Sequence, residues 1–323
     1  AQADGVDIVK EYSSAFVSDQ HESDTRIQLA STFFRALSKP ERASRSLAQF
    51  KSLHHDATKI VTDPNQSEQR RCQAVDLMGL GIESIESERE LLCDLVRPAT
   101  PTSVQQRAID CLAQFPGDDS FQALIQRWPT MTKVIRDHVV MQMLRRNNAT
   151  TVLLDALEAK QVDVNDLTPA ARQRLTRTGN RSMRVRAERL VRTTGSRQKN
   201  SLVHSYRLEM NREGDPNHGA ELFKKHCAVC HLPNQNTTPV GATLENLSDR
   251  SDEALLTAIL DPNRAVDPKY QSYAVESEDG RVLVGTIEQE IGTSITLAHA
   301  DGKRTIIRRD DVADIKNTGV SLM

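Results

Sequence analysis

The sequence predicts a mainly α-helical chain that carries a small antiparallel β-meander near its carboxyl end. Three observations lead to this fold class. Residues 24–195 show apolar residues at helical spacing and few Gly-rich turns. A second helical segment begins near residue 215, and the apolar period changes to that of β-strands after residue 270. The length of 323 residues suggests about two domains.

Composition excludes several classes of partner. The net charge is −2 and aromatic residues make up 4% of the chain, so neither a basic surface nor a stacking platform for nucleic acid is expected. No apolar run approaches the ~18 residues of a membrane helix, so no transmembrane segment is predicted. The chain starts at Ala1 without a signal-peptide pattern, and we therefore expect a processed protein or an excised fragment.

One helical segment recurs with a period in the low thirties. Setting Ala74 on Ala108 aligns two copies at a shift of 34 residues, and a third copy follows at a further shift of 32. The copies cover residues 71–78, 107–112, 138–144 and, more weakly, 170–175. A second amphipathic helix is predicted after each of the first three, at residues 87–96, 119–127 and 149–159. Such helix pairs are typical of an α-solenoid, because one pair cannot bury its apolar face. The alternative is an irregular helical bundle.

These repeats resemble those of the HEAT type, in which an arginine or aspartate of one helix often ties adjacent repeats together. Asp76 and Asp110 occupy matching places in the first two copies. The resemblance implies a HEAT-like helical repeat domain over residues 1–200.

A Cys-x-x-Cys-His motif is the most informative stretch of the chain. Cys227 and Cys230 are followed directly by His231. Two thiols at this spacing can form thioethers with the vinyl groups of a haem, and the adjoining imidazole can then ligate the iron. A redox disulfide and half of a zinc site are the alternatives. Covalent haem c is attached outside the cytoplasm. The motif therefore implies an extracytoplasmic location, the periplasm or its equivalent.

The residues before the motif predict a helix that leads into it. Asp215 is a suitable N-cap and Pro216 a suitable first helical residue. Gly219, Phe223 and Cys227 then follow at intervals of four residues on one face. The arrangement resembles the first helix of class I c-type cytochromes, which implies that the glycine and the aromatic ring pack against the last helix of that domain.

The residues after the motif suggest a haem pocket. Gly241, Ala242 and Leu244 resemble a Gly-Pro-x-Leu segment of the same family, with alanine in place of the proline. The resemblance implies that the carbonyl of residue 242 contacts the second nitrogen of His231. Gly241, Leu244 and Leu247 are therefore candidate pocket residues, together with Phe223. Ordinary core packing is the alternative for the two leucines.

A β-meander of about 45 residues is predicted between residues 270 and 315, with four strands, a short fifth one, and turns at Asp279-Gly280 and Asp301-Gly302. It forms either an open meander or a small barrel. Met323 is the only methionine after the motif and is the predicted sixth ligand of the iron, since Met/His ligation is common in electron carriers. Its rivals are His299, Lys269 and Lys316.

Residues 214–323 resemble the planctomycete-type haem-binding CxxCH domain. The resemblance is carried by Asp261-Pro262-Asn263-Arg264, by Tyr273 and by Ser321-Leu322-Met323, besides the motif. It implies a cytochrome c-like domain over residues 201–323 in which the β unit is an insertion. A closing helix follows in that family, whereas this sequence ends at Met323. The family often accompanies sugar-dehydrogenase-like domains, which implies a redox partner protein or a dehydrogenase domain as partner.

These features predict an electron-transfer module rather than an enzyme, because no catalytic triad, paired carboxylates or phosphate loop is evident. The alternative is a haem-containing sensor or scaffold protein with an open or labile sixth site.

Overall fold

The computed structural model describes residues 51–78, 84–192, 197–210, 213–232, 239–247, 249–263 and 266–323. The helices predicted between residues 24 and 50 lie outside the described residues. The chain divides into two compact units, with the boundary between Leu124 and Ile125.

The first unit is helical throughout its described residues. Ser67 and Ser84 cap two of its helices, each accepting a hydrogen bond from a backbone N–H of the first turn. Its helices are α1 (Lys51–Thr62), α2 (Glu68–Val75), α3 (Ile85–Leu95), α4 (Thr102–Leu112) and α5 (Asp119–Gln126), whose last residues cross the boundary.

The second unit combines helices with a sheet. The longer helices that continue the predicted repeats are α6 (Lys133–Met143), α7 (Asn147–Glu158), α8 (Pro169–Thr176), α9 (Arg181–Arg192) and α10 (Arg197–Glu209). Three helices follow around the Cys-x-x-Cys-His motif: α11 (Pro216–His226), α12 (Ala228–His231) and α13 (Asp252–Leu260). The mainly helical character that the sequence predicts is confirmed.

Three buried side chains donate hydrogen bonds at close to the spacing of the predicted repeat. Arg71, Gln105 and Arg136 are buried at equivalent places, three residues before a buried pair. Each donates to a backbone carbonyl earlier in the chain, at 2.7–3.0 Å: those of Val61, Thr100 and Trp128. Gln105 follows Arg71 by 34 residues, and Arg136 follows Gln105 by 31. The second spacing is one residue shorter than the shift of 32 in the sequence alignment.

An ion pair links the first two copies within the first unit. Arg107 Nε lies 2.9 Å from Asp76 Oδ1, and the aspartate side chain is only 9% exposed. The thiol of Cys111 also lies 3.0 Å from the carbonyl oxygen of Met78. Asp76, which the repeat pattern marked, therefore ties α4 to the end of α2.

The C-terminal sheet has five antiparallel strands in the order β4-β3-β2-β1-β5. Gly280 and Gly302 adopt φ of 80° and 81° in two of the turns, where a side chain would be strained. The antiparallel meander is confirmed, and its fifth strand is longer than predicted because it pairs with β1 from Val312 to Ser321, with two shifts of register. The strands are β1 (Gln271–Ser277), β2 (Val282–Ile291), β3 (Ser294–Ala298), β4 (Arg304–Arg308) and β5 (Val312–Ser321).

One face of the sheet is packed by alternating apolar side chains, as the period of two requires. Leu283 and Ile287 of β2 pack against this cluster from its edge. Its buried members are Tyr273, Val275, Ile295, Leu297, Ile307, Val312 and Ile315.

A buried ion pair within the sheet region is linked to the helices of the same unit by a threonine hydroxyl. Arg309 Nη2 lies 2.7 Å from Glu290 Oε2, and the two side chains are 1% and 2% exposed. Thr132, the residue before α6, donates its hydroxyl to the same carboxylate oxygen at 3.1 Å. The charge is therefore compensated by one group from the sheet and one from the helices.

A second buried pair stabilises the helical side of this junction. Arg136 Nη1 lies 3.1 Å from Asp166 Oδ2, which also accepts a hydrogen bond from the indole of Trp128 at 2.8 Å. The guanidinium lies 5.1 Å from the centre of the same indole ring. Both charged side chains are nearly fully buried, so removing either one would strongly destabilise the fold.

We expect Arg309→Met to lower the free energy of unfolding by about 3–5 kcal/mol, because it removes the buried cation that lies beside the carboxylate of Glu290. Urea denaturation measures the change. The matched control is Arg308→Met, which removes an exposed pair with Asp310 and should cost less than ~1 kcal/mol. Equal losses in the two variants would contradict the role of the buried pair.

Stability should also fall in strong base because of Tyr273. Burial raises the pKa of this phenol to about 12, from an ordinary 10.0, and the nearby Arg136 offsets part of the effect. The contribution of the neutral phenol is present below pH 10 and is lost as the pH rises through 12, a loss on the order of 2 kcal/mol. Urea denaturation across this range should show a shallower decline for Tyr273→Phe, and identical declines would refute the assignment.

Candidate functional site

The Cys-x-x-Cys-His motif lies where one helix ends and a short one begins. The side chain of Asp215 accepts hydrogen bonds from the backbone N–H of Asn217 and His218, which fixes the start of α11 as predicted. This helix ends at Cys227, whose N–H donates to the carbonyl of Phe223 at 2.8 Å. The short α12 then carries the rest of the motif.

Both thiols of the motif are free and half-buried. Burial raises the pKa of Cys230, and the neighbouring Cys227 adds to the effect, so the thiol form is favoured. Cys230 Sγ lies 3.7 Å from the carbonyl oxygen of Ala300, in the turn between β3 and β4. A methyl group on Gly302 in that turn would lie 3.8 Å from Val229. The turn therefore packs against the motif, a contact that sequence reasoning missed.

The imidazole of His231 is oriented by a backbone carbonyl. Its Nδ1 lies 2.8 Å from the oxygen of Ala242. Because a carbonyl oxygen can only accept, Nδ1 carries the hydrogen, and Nε2 is left with the lone pair that a metal requires. The contact that the resemblance implies at residue 242 is thus present although proline is replaced by alanine.

Gly241 is needed for the close approach of the chain to this ring. A Cβ atom at this position would lie 2.9 Å from Cε1 and 3.1 Å from Nδ1 of His231. The N–H of Gly241 donates to the carbonyl of Cys230 at 2.8 Å, which holds the two segments together. The structure therefore brings Gly241, Cys230 and His231 into one cluster, 11 residues apart at most.

The remaining predicted pocket residues, Phe223, Leu244 and Leu247, are half-buried. Leu244 begins a short 3-10 helix, Leu244–Asn246. The pocket role of the two leucines remains a prediction.

The helices around the motif keep apolar side chains accessible. Within the described residues of α11, α12 and α13, none is buried, although α13 is strongly apolar. Ile259 is 61% exposed, and four further apolar side chains are exposed as well: Leu222, Val229, Leu232 and Leu255. Accessible apolar surface of this kind marks ligand or partner sites. With two free thiols and an oriented imidazole, this donor set fits a covalently attached haem.

The candidates for the sixth ligand differ in how their donor atoms are occupied. Met323 follows the end of β5 by two residues, and its side chain is 55% exposed. His299 is half-buried, and its Nδ1 and Nε2 lie 2.8 Å from the carbonyl of Val284 and the hydroxyl of Thr305. Both ring nitrogens of His299 are therefore occupied by hydrogen bonds to groups of the sheet.

The two lysine rivals are placed differently. Lys269 lies 3.9 Å from Asp267 and over the ring of Tyr270, and Lys316 is exposed on β5. Of the four candidates, the structure opposes His299 most clearly, while the assignment of Met323 remains a prediction.

Comparison with known proteins leaves the family open: no protein-family model matches the chain, and no curated protein matches it. Among the described residues, no helix combines the length and the apolar character needed to cross a membrane.

We expect Gly241→Ala to displace the His231 ring, because the added methyl group would overlap Cε1. The ¹⁵N chemical shifts of the imidazole report the protonated nitrogen, and the variant should lose the signature of a fixed Nδ1–H. Gly214→Ala is the matched control, since a methyl group there would meet nothing within 4 Å. Unchanged shifts in Gly241→Ala would show that the glycine is not required.

Proposed function

We propose that this chain is a c-type cytochrome electron-transfer module. Haem c would be bound through Cys227 and Cys230, with His231 as the proximal ligand and Met323 as the distal ligand. The observation that carries the proposal is the hydrogen bond from His231 Nδ1 to Ala242, which leaves Nε2 available for iron. Zinc sites use oriented histidines too, but the adjacent thiols at this spacing favour haem.

When bound, the haem would supply one-electron oxidation and reduction. The residues of this chain hold and orient it. The carbonyl of Ala242 keeps the imidazole in the tautomer whose Nε2 can bind a metal. Gly241 allows that carbonyl to approach, and the accessible side chains of α11 and α13 would cover the apolar faces of the macrocycle.

The helical part would act as a HEAT-like solenoid that holds the haem domain and presents a docking surface. Support comes from the recurring buried donors and from the Arg309–Glu290 pair, which Thr132 completes from the helical side. The electron donor or acceptor would be a redox protein or a dehydrogenase domain, in an extracytoplasmic compartment where haem is attached. The chain itself would not be an enzyme.

Covalent attachment is tested by the mass and absorption spectrum of protein produced with a haem-maturation system. Wild-type protein should gain the mass of one haem, and Cys227→Ala with Cys230→Ala should abolish the gain because no thioether can form. Cys72→Ala is the control, since this half-buried cysteine is far from the motif in sequence and should leave attachment intact. Wild-type protein without covalent haem would overturn the proposal.

The axial ligand separates electron transfer from a sensor with an open sixth site. A Met-to-iron charge-transfer band in the oxidised protein and no carbon monoxide binding to the reduced protein would support Met323. Ready binding of carbon monoxide would favour the sensor.

A further inference from the structure

We propose that Asn263 is a positioning residue for Met323, the distal ligand of the proposed function, on which this inference rests. Asn263 follows α13 by three residues and is half-buried. Its Oδ1 accepts a hydrogen bond from the backbone N–H of Ser321 at 2.7 Å. The side chain thus fixes the last residue of β5, 58 positions further along the chain.

The end of β5 needs such an anchor because its pairing with β1 is irregular. Tyr273 pairs with Asn317 and Gln271 with Ser321, so β5 carries two more residues than β1 in this interval. Gly319 lies in this bulge with φ of 71°. Bulges bend a strand and interrupt its ladder of hydrogen bonds. The N–H of Ser321 is therefore held by a side chain from outside the sheet.

Anchoring Ser321 restricts where Met323 can be. A chain spans at most about 3.6 Å per residue, so the Cα of Met323 stays within roughly 7 Å of that of Ser321. The N–H of Met323 also donates to the hydroxyl of Ser321 at 3.1 Å, which forms a local turn. The position of the Met323 backbone is thus restricted by the Asn263–Ser321 bond and by this turn.

The same asparagine connects Met323 to the helical part of its unit. The carbonyl of Asn263 accepts a hydrogen bond from Asn165 Nδ2 at 3.2 Å. Asn165 belongs to the short 3-10 helix Val164–Asp166, next to the aspartate that pairs with Arg136. Asp166 of the buried Arg136–Asp166 pair is therefore the chain neighbour of Asn165, which binds Asn263.

Asn263→Ala and Asn263→Asp separate the hydrogen bond from other effects. Alanine removes the acceptor, whereas aspartate keeps an oxygen at the same place. In haem-free protein, the amide exchange of Ser321 should accelerate about 5- to 10-fold in the alanine variant, the effect of one lost hydrogen bond. It should change less than about 3-fold in the aspartate variant. If the amide of Ser321 exchanged at the same rate in both variants, the role of the Asn263 side chain in holding Ser321 would be overturned.

Haem-loaded protein tests the consequence for the ligand. Asn263→Ala should weaken the Met-to-iron charge-transfer band, lower the reduction potential and admit carbon monoxide, and Asn263→Asp should restore the band. Urea denaturation of both variants shows that each is folded. An unchanged band in Asn263→Ala would overturn the positioning role while leaving the ligand intact. Absence of the band from wild-type protein would overturn the ligand itself, and with it the role of Asn263.

Discussion

The second unit depends on compensated charge where its sheet meets its helices. Glu290 on β2 lies in a place that water hardly reaches, and its carboxylate is tolerable only with Arg309 and Thr132 beside it. Moving the sheet away from α6 would separate Glu290 from the hydroxyl of Thr132. The contact between the helices and the sheet is thus directional at this point, unlike apolar packing.

Much of the local structure could be predicted because it depends on neighbours in sequence. The start of α11 at Asp215, the glycine turns of the sheet and the change of period after residue 270 follow from caps, positive φ and side-chain alternation. The contact of His231 with Ala242 is implied by the resemblance of residues 241–244 to a Gly-Pro-x-Leu segment, and it does not need the proline because a backbone carbonyl exists whatever the side chain.

The remaining features depend on contacts between distant parts of the chain. Cys230 meets Ala300 across 70 residues, and Thr132 meets Glu290 across 158. Neither residue type nor spacing indicates such pairs, because they arise only when the sheet packs in one orientation. The length of β5 has the same origin: it pairs with β1, the first strand, so its extent is determined by a partner that the alternation pattern does not identify.

Position 242 holds alanine, where the family that residues 241–244 resemble has proline, and this affects how the segment beside the imidazole is held. A proline ring would stiffen the backbone covalently, whereas here the bond from Gly241 to the carbonyl of Cys230 restrains it. The orientation of the imidazole of His231 is then set during folding, so a metal bound as proposed would meet a preorganised donor. Because that restraint is a hydrogen bond between Gly241 and Cys230, it can open and close locally. The imidazole of His231 would then be released transiently without unfolding of the domain.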